Sequence, residues 1–130
     1  MLLIYLSGAV ILLTPSAASA ASSRVYVAND SCRGHSVWPS KIILACGDGE
    51  VWATSLHFSA YGAGTAWASG RLHYVVCQPN CAQGYVKSVP ARFKLTKIVR
   101  CAGRRYYGTA TVVAPARYSR SSWYIQPLRC

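Results

Sequence analysis

The sequence predicts an all-β protein: a compact antiparallel β-sandwich or barrel stabilised by disulfides. Three observations carry this expectation. Short runs rich in β-branched and aromatic residues recur along the chain, some of them alternate apolar with polar residues, and six cysteines lie between positions 32 and 130. Runs of that composition, separated by turn-forming residues, read as strands of an antiparallel sheet with one face on a core.

The candidate strands, in order, are residues 25–27, 42–45, 51–57, 65–69, 72–77, 91–98, 106–113 and 122–125. Turn residues separate them at Cys46-Gly47-Asp48-Gly49, Gly62-Ala63-Gly64, Gln78-Pro79-Asn80 and Ala102-Gly103. Alternation is cleanest in Ala91-Arg92-Phe93-Lys94-Leu95-Thr96, which places Ala91, Phe93 and Leu95 on one face and Arg92, Lys94 and Thr96 on the other. Tyr107, Thr109, Thr111 and Val113 mark one side of a second such strand. No convincing helical period longer than two turns, repeat or internal linker interrupts the pattern, so residues 21–130 are expected to form a single domain.

Ahead of that domain lies an apolar run, residues 2–13, broken by Thr14-Pro15-Ser16 and followed by Ala17-Ala18-Ser19-Ala20-Ala21. A dozen apolar residues before an A-x-A site read as a signal peptide over residues 1–20, cleaved near Ala20/Ala21. The run is shorter than the ~20 residues a membrane helix needs. The expected location is secreted, or extracellular.

Export changes the reading of the cysteines. Cys32, Cys46, Cys77, Cys81, Cys101 and Cys130 form an even set in a short exported chain, which argues for three disulfides whose connectivity the spacing leaves open. Cys77-x-x-x-Cys81 is also a metal-ligand spacing, but no second Cys or His pair accompanies it, so neither a metal nor another cofactor is expected.

Three blocks carry a family resemblance: Lys41-Ile42-Ile43-Leu44-Ala45-Cys46-Gly47-Asp48-Gly49, Leu56-His57-Phe58-Ser59-Ala60-Tyr61-Gly62 and Cys77-Gln78-Pro79-Asn80-Cys81-Ala82-Gln83-Gly84. They resemble the C-x-D-G, L-x-W-x-x-W-G and C-x-P-x-C-A-x-G blocks of a family of small secreted actinobacterial proteins of unknown function. Phe58 and Tyr61 stand where that family has Trp, and Val89-Pro90-Ala91-Arg92-Phe93-Lys94-Leu95 resembles its Y-P-V-x-V-x-L strand. The likeness spans residues 39–112 and implies export and β architecture, with no particular activity. Cys32 and Cys130 fall outside it, and their shared absence from the family pattern suggests that they pair with each other.

The chemistry-bearing residues are few. Glu50, His57 and His73 are the candidate catalytic residues, an acid–base set of the kind small secreted ribonucleases use. Plainer readings stand beside these: His57 and His73 fit outward strand positions equally well, and Asp48, the first carboxylate suspect beside Glu50, lies in Gly47-Asp48-Gly49, which fits an ordinary hairpin turn. Only Asp30, Asp48 and Glu50 could supply a glycosidase carboxylate pair. No nucleophile elbow, phosphate loop or nucleotide fingerprint is present.

Charge is the stronger signal. Fourteen Lys and Arg against three acids give a net charge of +11. Arg92, Lys94, Lys97, Arg100, Arg104 and Arg105 are the candidate binding residues, extended in sequence by Lys87, Arg117, Arg120 and Arg129 and interleaved with Tyr106, Tyr107, Tyr118, Trp123 and Tyr124. Such a surface attracts anionic polymer, nucleic acid or lipid headgroups. The reading is a non-enzymatic, monomeric binding module for an anionic surface or polymer. Two alternatives stand beside it: a secreted inhibitor or effector that binds another protein through the Cys77–Cys81 loop, and a small ribonuclease-like hydrolase.

Overall fold

The computed structural model describes residues 10–12, 24–32, 34–115 and 121–127. The signal-peptide segment, Arg117, Tyr118, Arg120, Arg129 and Cys130 lie outside or almost wholly outside these residues. Among the described residues no helix is long and apolar enough to cross a membrane.

The protein is all-β. Among the described residues seven strands run β1 (Val25–Tyr26), β2 (Ile42–Ile43), β3 (Val51–Ala60), β4 (Ala66–Val76), β5 (Tyr85–Cys101), β6 (Arg104–Ala114) and β7 (Ser122–Tyr124), with one 3-10 turn at Ala28–Asp30. They form one curled sheet in the order β1-β6-β5-β4-β3-β2, and β7 also pairs with β6. Successive strands are antiparallel, whereas β1 joins β6 in parallel, so the sheet is mixed.

Curling needs short side chains on the concave face and larger ones to fill the centre. Ala53, Ala66, Ala68, Ala91 and Ala110 supply the first, and Leu56, Leu72, Phe93, Leu95, Tyr107 and Val112 the second, all buried in one core. Cross-strand register pairs small with large: Ala68 faces Phe93, and Ala66 faces Leu95. At Gly70 the approach is closest. Register jumps between Thr54 and His57, leaving a bulge opposite Gly70 with Ser55 at φ 53°. A Cβ at Gly70 would lie 2.6 Å from the Thr54 carbonyl oxygen, too close to exist. Gly70→Ala is therefore expected to cost about 1–3 kcal/mol through forced backbone displacement. A lowered denaturant midpoint checks this, and an unchanged one would show that the bulge yields freely.

The alternation read for residues 91–96 is the observed one, with Ala91, Phe93 and Leu95 buried. That for β6 is corrected. Tyr107 packs in the core with Ala110 and Val112, so it does not share a side with Thr109 and Thr111. The side of the strand changes at Gly108, opposite Lys97, which has φ 60°. A Cβ at Gly108 would come 2.7 Å from the Lys97 carbonyl oxygen. The left-handed residue twists this end of the hairpin, so Tyr106 turns into a second small cluster with Ala28 and Cys101.

The cysteine pairing is also corrected. Cys32 bonds Cys46 and Cys77 bonds Cys81. Cys101 is likewise disulfide-bonded. Cys32 therefore does not pair with Cys130. The physical reason is local: the Asn29 amide donates to the Ile43 carbonyl at 3.0 Å, drawing the first segment along β2 and bringing the Cα atoms of Cys32 and Cys46 to 5.7 Å.

Candidate binding face

Because Ala66, Ala68, Leu72 and Tyr74 point into the core, Trp67, Ser69, Arg71 and His73 of β4 point outward. Register then assembles the neighbours. Trp67 lies opposite Lys94, Ser69 opposite both His57 and Arg92, Arg71 opposite Thr54, and His73 opposite both Trp52 and Ser88. The outer face of β3–β5 is thus a strip of aromatic, hydroxyl and cationic side chains.

Trp67 anchors one end. The Arg92 guanidinium carbon stands 6.0 Å and the Lys94 ammonium 5.4 Å from the indole centroid, within cation–π range. The other end is built on His73. Its ring stacks on Trp52 at 5.2 Å with planes 8° apart. Its Nε2 shares a hydrogen bond with the Thr54 hydroxyl at 2.6 Å, and its Nδ1 one with the Ser88 hydroxyl at 2.5 Å. Burial lowers the His73 pKa, and the charges of Arg71 and Lys41 lower it further, which favours the uncharged imidazole between these cations. Arg71 in turn donates to the Ser88 carbonyl at 3.1 Å.

The six candidate binding residues separate into three groups. Arg92 and Lys94 meet at Trp67. Lys97 is exposed at the strand twist, beside a concavity of about 240 Å³ lined by Thr96, Thr109, Thr111, Ser122, Trp123 and Tyr124. Arg100 and Arg105 are cross-strand partners near the tip of the β5–β6 hairpin, and Arg104 lies 5.4 Å over the Tyr26 ring. Lys41 and Arg71, which sequence reading passed over, belong with Arg92 and Lys94. For Arg71 the signal was the outward phase of β4, hidden because a break at Gly70 split that strand into two runs.

The catalytic candidates are not brought together as a set. His57 sits opposite Ser69, four residues along the same face from His73, or about 13 Å of strand. Glu50 precedes Val51, the partner of Tyr74, so it borders the His73 end alone. There it stands beside Cys77 and Cys81, with its oxygen and their sulfurs within 4.8 Å. The two sulfurs are joined in a disulfide, which leaves Glu50 the one ordinary metal-ligating group of the three. His35 packs edge-on against Tyr26, with ring centroids 5.7 Å apart. Asp48 accepts from the Glu50 amide at 3.0 Å and Gly49 has φ 69°, the geometry of a turn.

The fold and this face define a class: a disulfide-stapled β protein with one curled sheet whose outer surface is a cationic, aromatic platform. No family model, no curated protein and no solved structure matches the chain.

Proposed function

We propose that the chain is an exported binding module whose outer sheet face holds an anionic polymer. The observation that carries this reading is the Trp67 site, where Arg92 and Lys94 flank an indole on the same face as Arg71, with Lys41 close to its other end. None of these cations makes an ion pair among the described residues, so their charge is available to a ligand. Export is supported by the leader-like N-terminus and by disulfides, which persist in oxidising compartments.

The test is retention of the oxidised protein on immobilised heparin across a salt series. Arg92→Glu with Lys94→Glu is expected to weaken binding by on the order of tenfold per reversed cation and to flatten the salt dependence. Arg100→Glu with Arg105→Glu, at the far hairpin tip, should shift elution less. Equal retention of the Arg92/Lys94 variant would make the basicity a solubility property and end this reading.

A second reading has one observation in its favour. The β4–β5 hairpin continues past the Val51–Tyr74 pair, and its tip is closed by the Cys77–Cys81 bridge with residues 78–83 exposed. Tyr85 and Val86 on its stem are 59% and 54% exposed. A rigid, projecting loop suits a protein partner, because little entropy is lost on docking.

A further inference from the structure

The concavity beside Lys97 has a composition that the charge argument alone does not explain. We propose that it seats one uronate residue of an acidic polysaccharide, an assignment that rests on the anionic-polymer reading and names the polymer. At about 240 Å³ it falls below the ~300 Å³ at which pockets begin to hold drug-sized ligands, so it suits a single ring. Its polar lining is almost entirely hydroxyl: Thr96, Thr109, Thr111 and Ser122. The Thr111 and Ser122 hydroxyls bond each other at 2.8 Å, while those of Thr96 and Thr109 have no partner among the described residues. Rotatable hydroxyls that both donate and accept match the hydroxyls of a sugar ring. Tyr124, 79% exposed, forms one wall and offers an aromatic face to the ring's C–H edge.

Lys97 supplies the charge. Its left-handed backbone carries the side chain out of the inward phase that Phe93 and Leu95 occupy, and it lines the pocket without an ion pair among the described residues. One ammonium among hydroxyls fits a carboxylate on a polyhydroxylated ring through a charge-assisted hydrogen bond. A nucleotide fits less well. Among the described residues Trp123 packs against the core, which leaves Tyr124 as the free aromatic wall, and no Asn, Gln, Asp or Glu lines the pocket to read a base edge. Lys94 lies opposite Thr111, so a polymer leaving the pocket passes directly onto the Arg92/Lys94/Trp67 site.

The experiment is calorimetric titration with an oligogalacturonate, its carboxyl-reduced counterpart and oligo(dT). Three variants are compared with the parent: Lys97→Gln, Tyr124→Ala, and Arg92→Glu with Lys94→Glu. Lys97 and Tyr124 are exposed, so both single variants should retain the parent far-UV spectrum. The expected result is about a tenfold loss of oligogalacturonate affinity in each single variant, weak binding of the reduced oligomer, and oligo(dT) binding that neither single variant alters. Equal affinity for the reduced oligomer, or single variants that bind oligogalacturonate like the parent, would overturn the pocket assignment while leaving the anionic face intact. Oligo(dT) binding that outcompetes the uronate and falls with Tyr124→Ala would replace the sugar with a nucleic acid. Full retention of all binding by the Arg92/Lys94 variant would instead defeat the broader reading.

Discussion

Tyr107→Ala is expected to lower the free energy of unfolding by about 3–5 kcal/mol, the range for deleting a fully buried aromatic ring. Tyr107 is 0% exposed and packs edge-on against Tyr61 at 5.4 Å. Its hydroxyl donates to the Ala63 carbonyl at 2.7 Å and accepts from the Gly62 amide at 2.9 Å, pinning the β3–β4 loop onto β6. Tyr61 continues the tie, donating to the Val25 carbonyl at 2.7 Å, and burial pushes its hydroxyl pKa up to about 12. Small domains hold only about 5–15 kcal/mol in total, so the alanine variant sits near the edge of folding. Tyr107→Phe keeps the ring and isolates the polar part: one donor and one acceptor lose their partner, for about 1–3 kcal/mol. Urea unfolding of both variants measures the two contributions. A phenylalanine variant as stable as the parent would show that water replaces the hydroxyl at no cost.

Replacing Cys32 and Cys46 together with serine is expected to cost about 3 kcal/mol, from the loop entropy returned to the unfolded chain. Their sequence separation is 14, against 4 for Cys77 and Cys81, for which the same relation gives about 2 kcal/mol. The consequences should also differ in kind. The Cys32–Cys46 bridge fastens the segment that carries β1 and the 3-10 turn to the end of the sheet bearing β2. Its loss should therefore admit protease to residues 34–41. Loss of Cys77–Cys81 should loosen only the hairpin tip. Peptide mapping without reduction checks the pairing itself, and a Cys32-containing peptide joined to anything but the Cys46 peptide would contradict it.

Much of the architecture was legible because the strands state their period locally. Ala91 to Thr96 alternates small and apolar with cationic and polar residues, and no helix satisfies a period of two. The turns at Asp48-Gly49 and Ala102-Gly103 were legible for the same reason, since a positive φ is needed there and glycine supplies it. Reading failed where one residue's conformation depends on a partner far away in sequence. Gly70 looked like a break between two strands, yet it is the point where one strand passes under the bulge at Ser55. Lys97 looked like one more outward cation, yet it is the left-handed residue whose twist exchanges the faces of β6. His57 and His73 both face outward, and register offsets them by four residues along neighbouring strands, a spacing that neither strand states alone.

By itself the sequence determined the class of structure: an all-β chain, rich in cysteine and strongly basic, with Arg92 and Lys94 on the polar side of a strand. Those properties follow from composition and from a two-residue period, which each strand carries alone. Only the tertiary structure decided which cations share a face, that Cys32 meets Cys46, and that Thr96, Thr109 and Tyr124 close a pocket around Lys97. Register between strands is set by packing across the sheet, where Ala68 must meet Phe93 and Gly70 must meet a bulge, and no single strand contains that information.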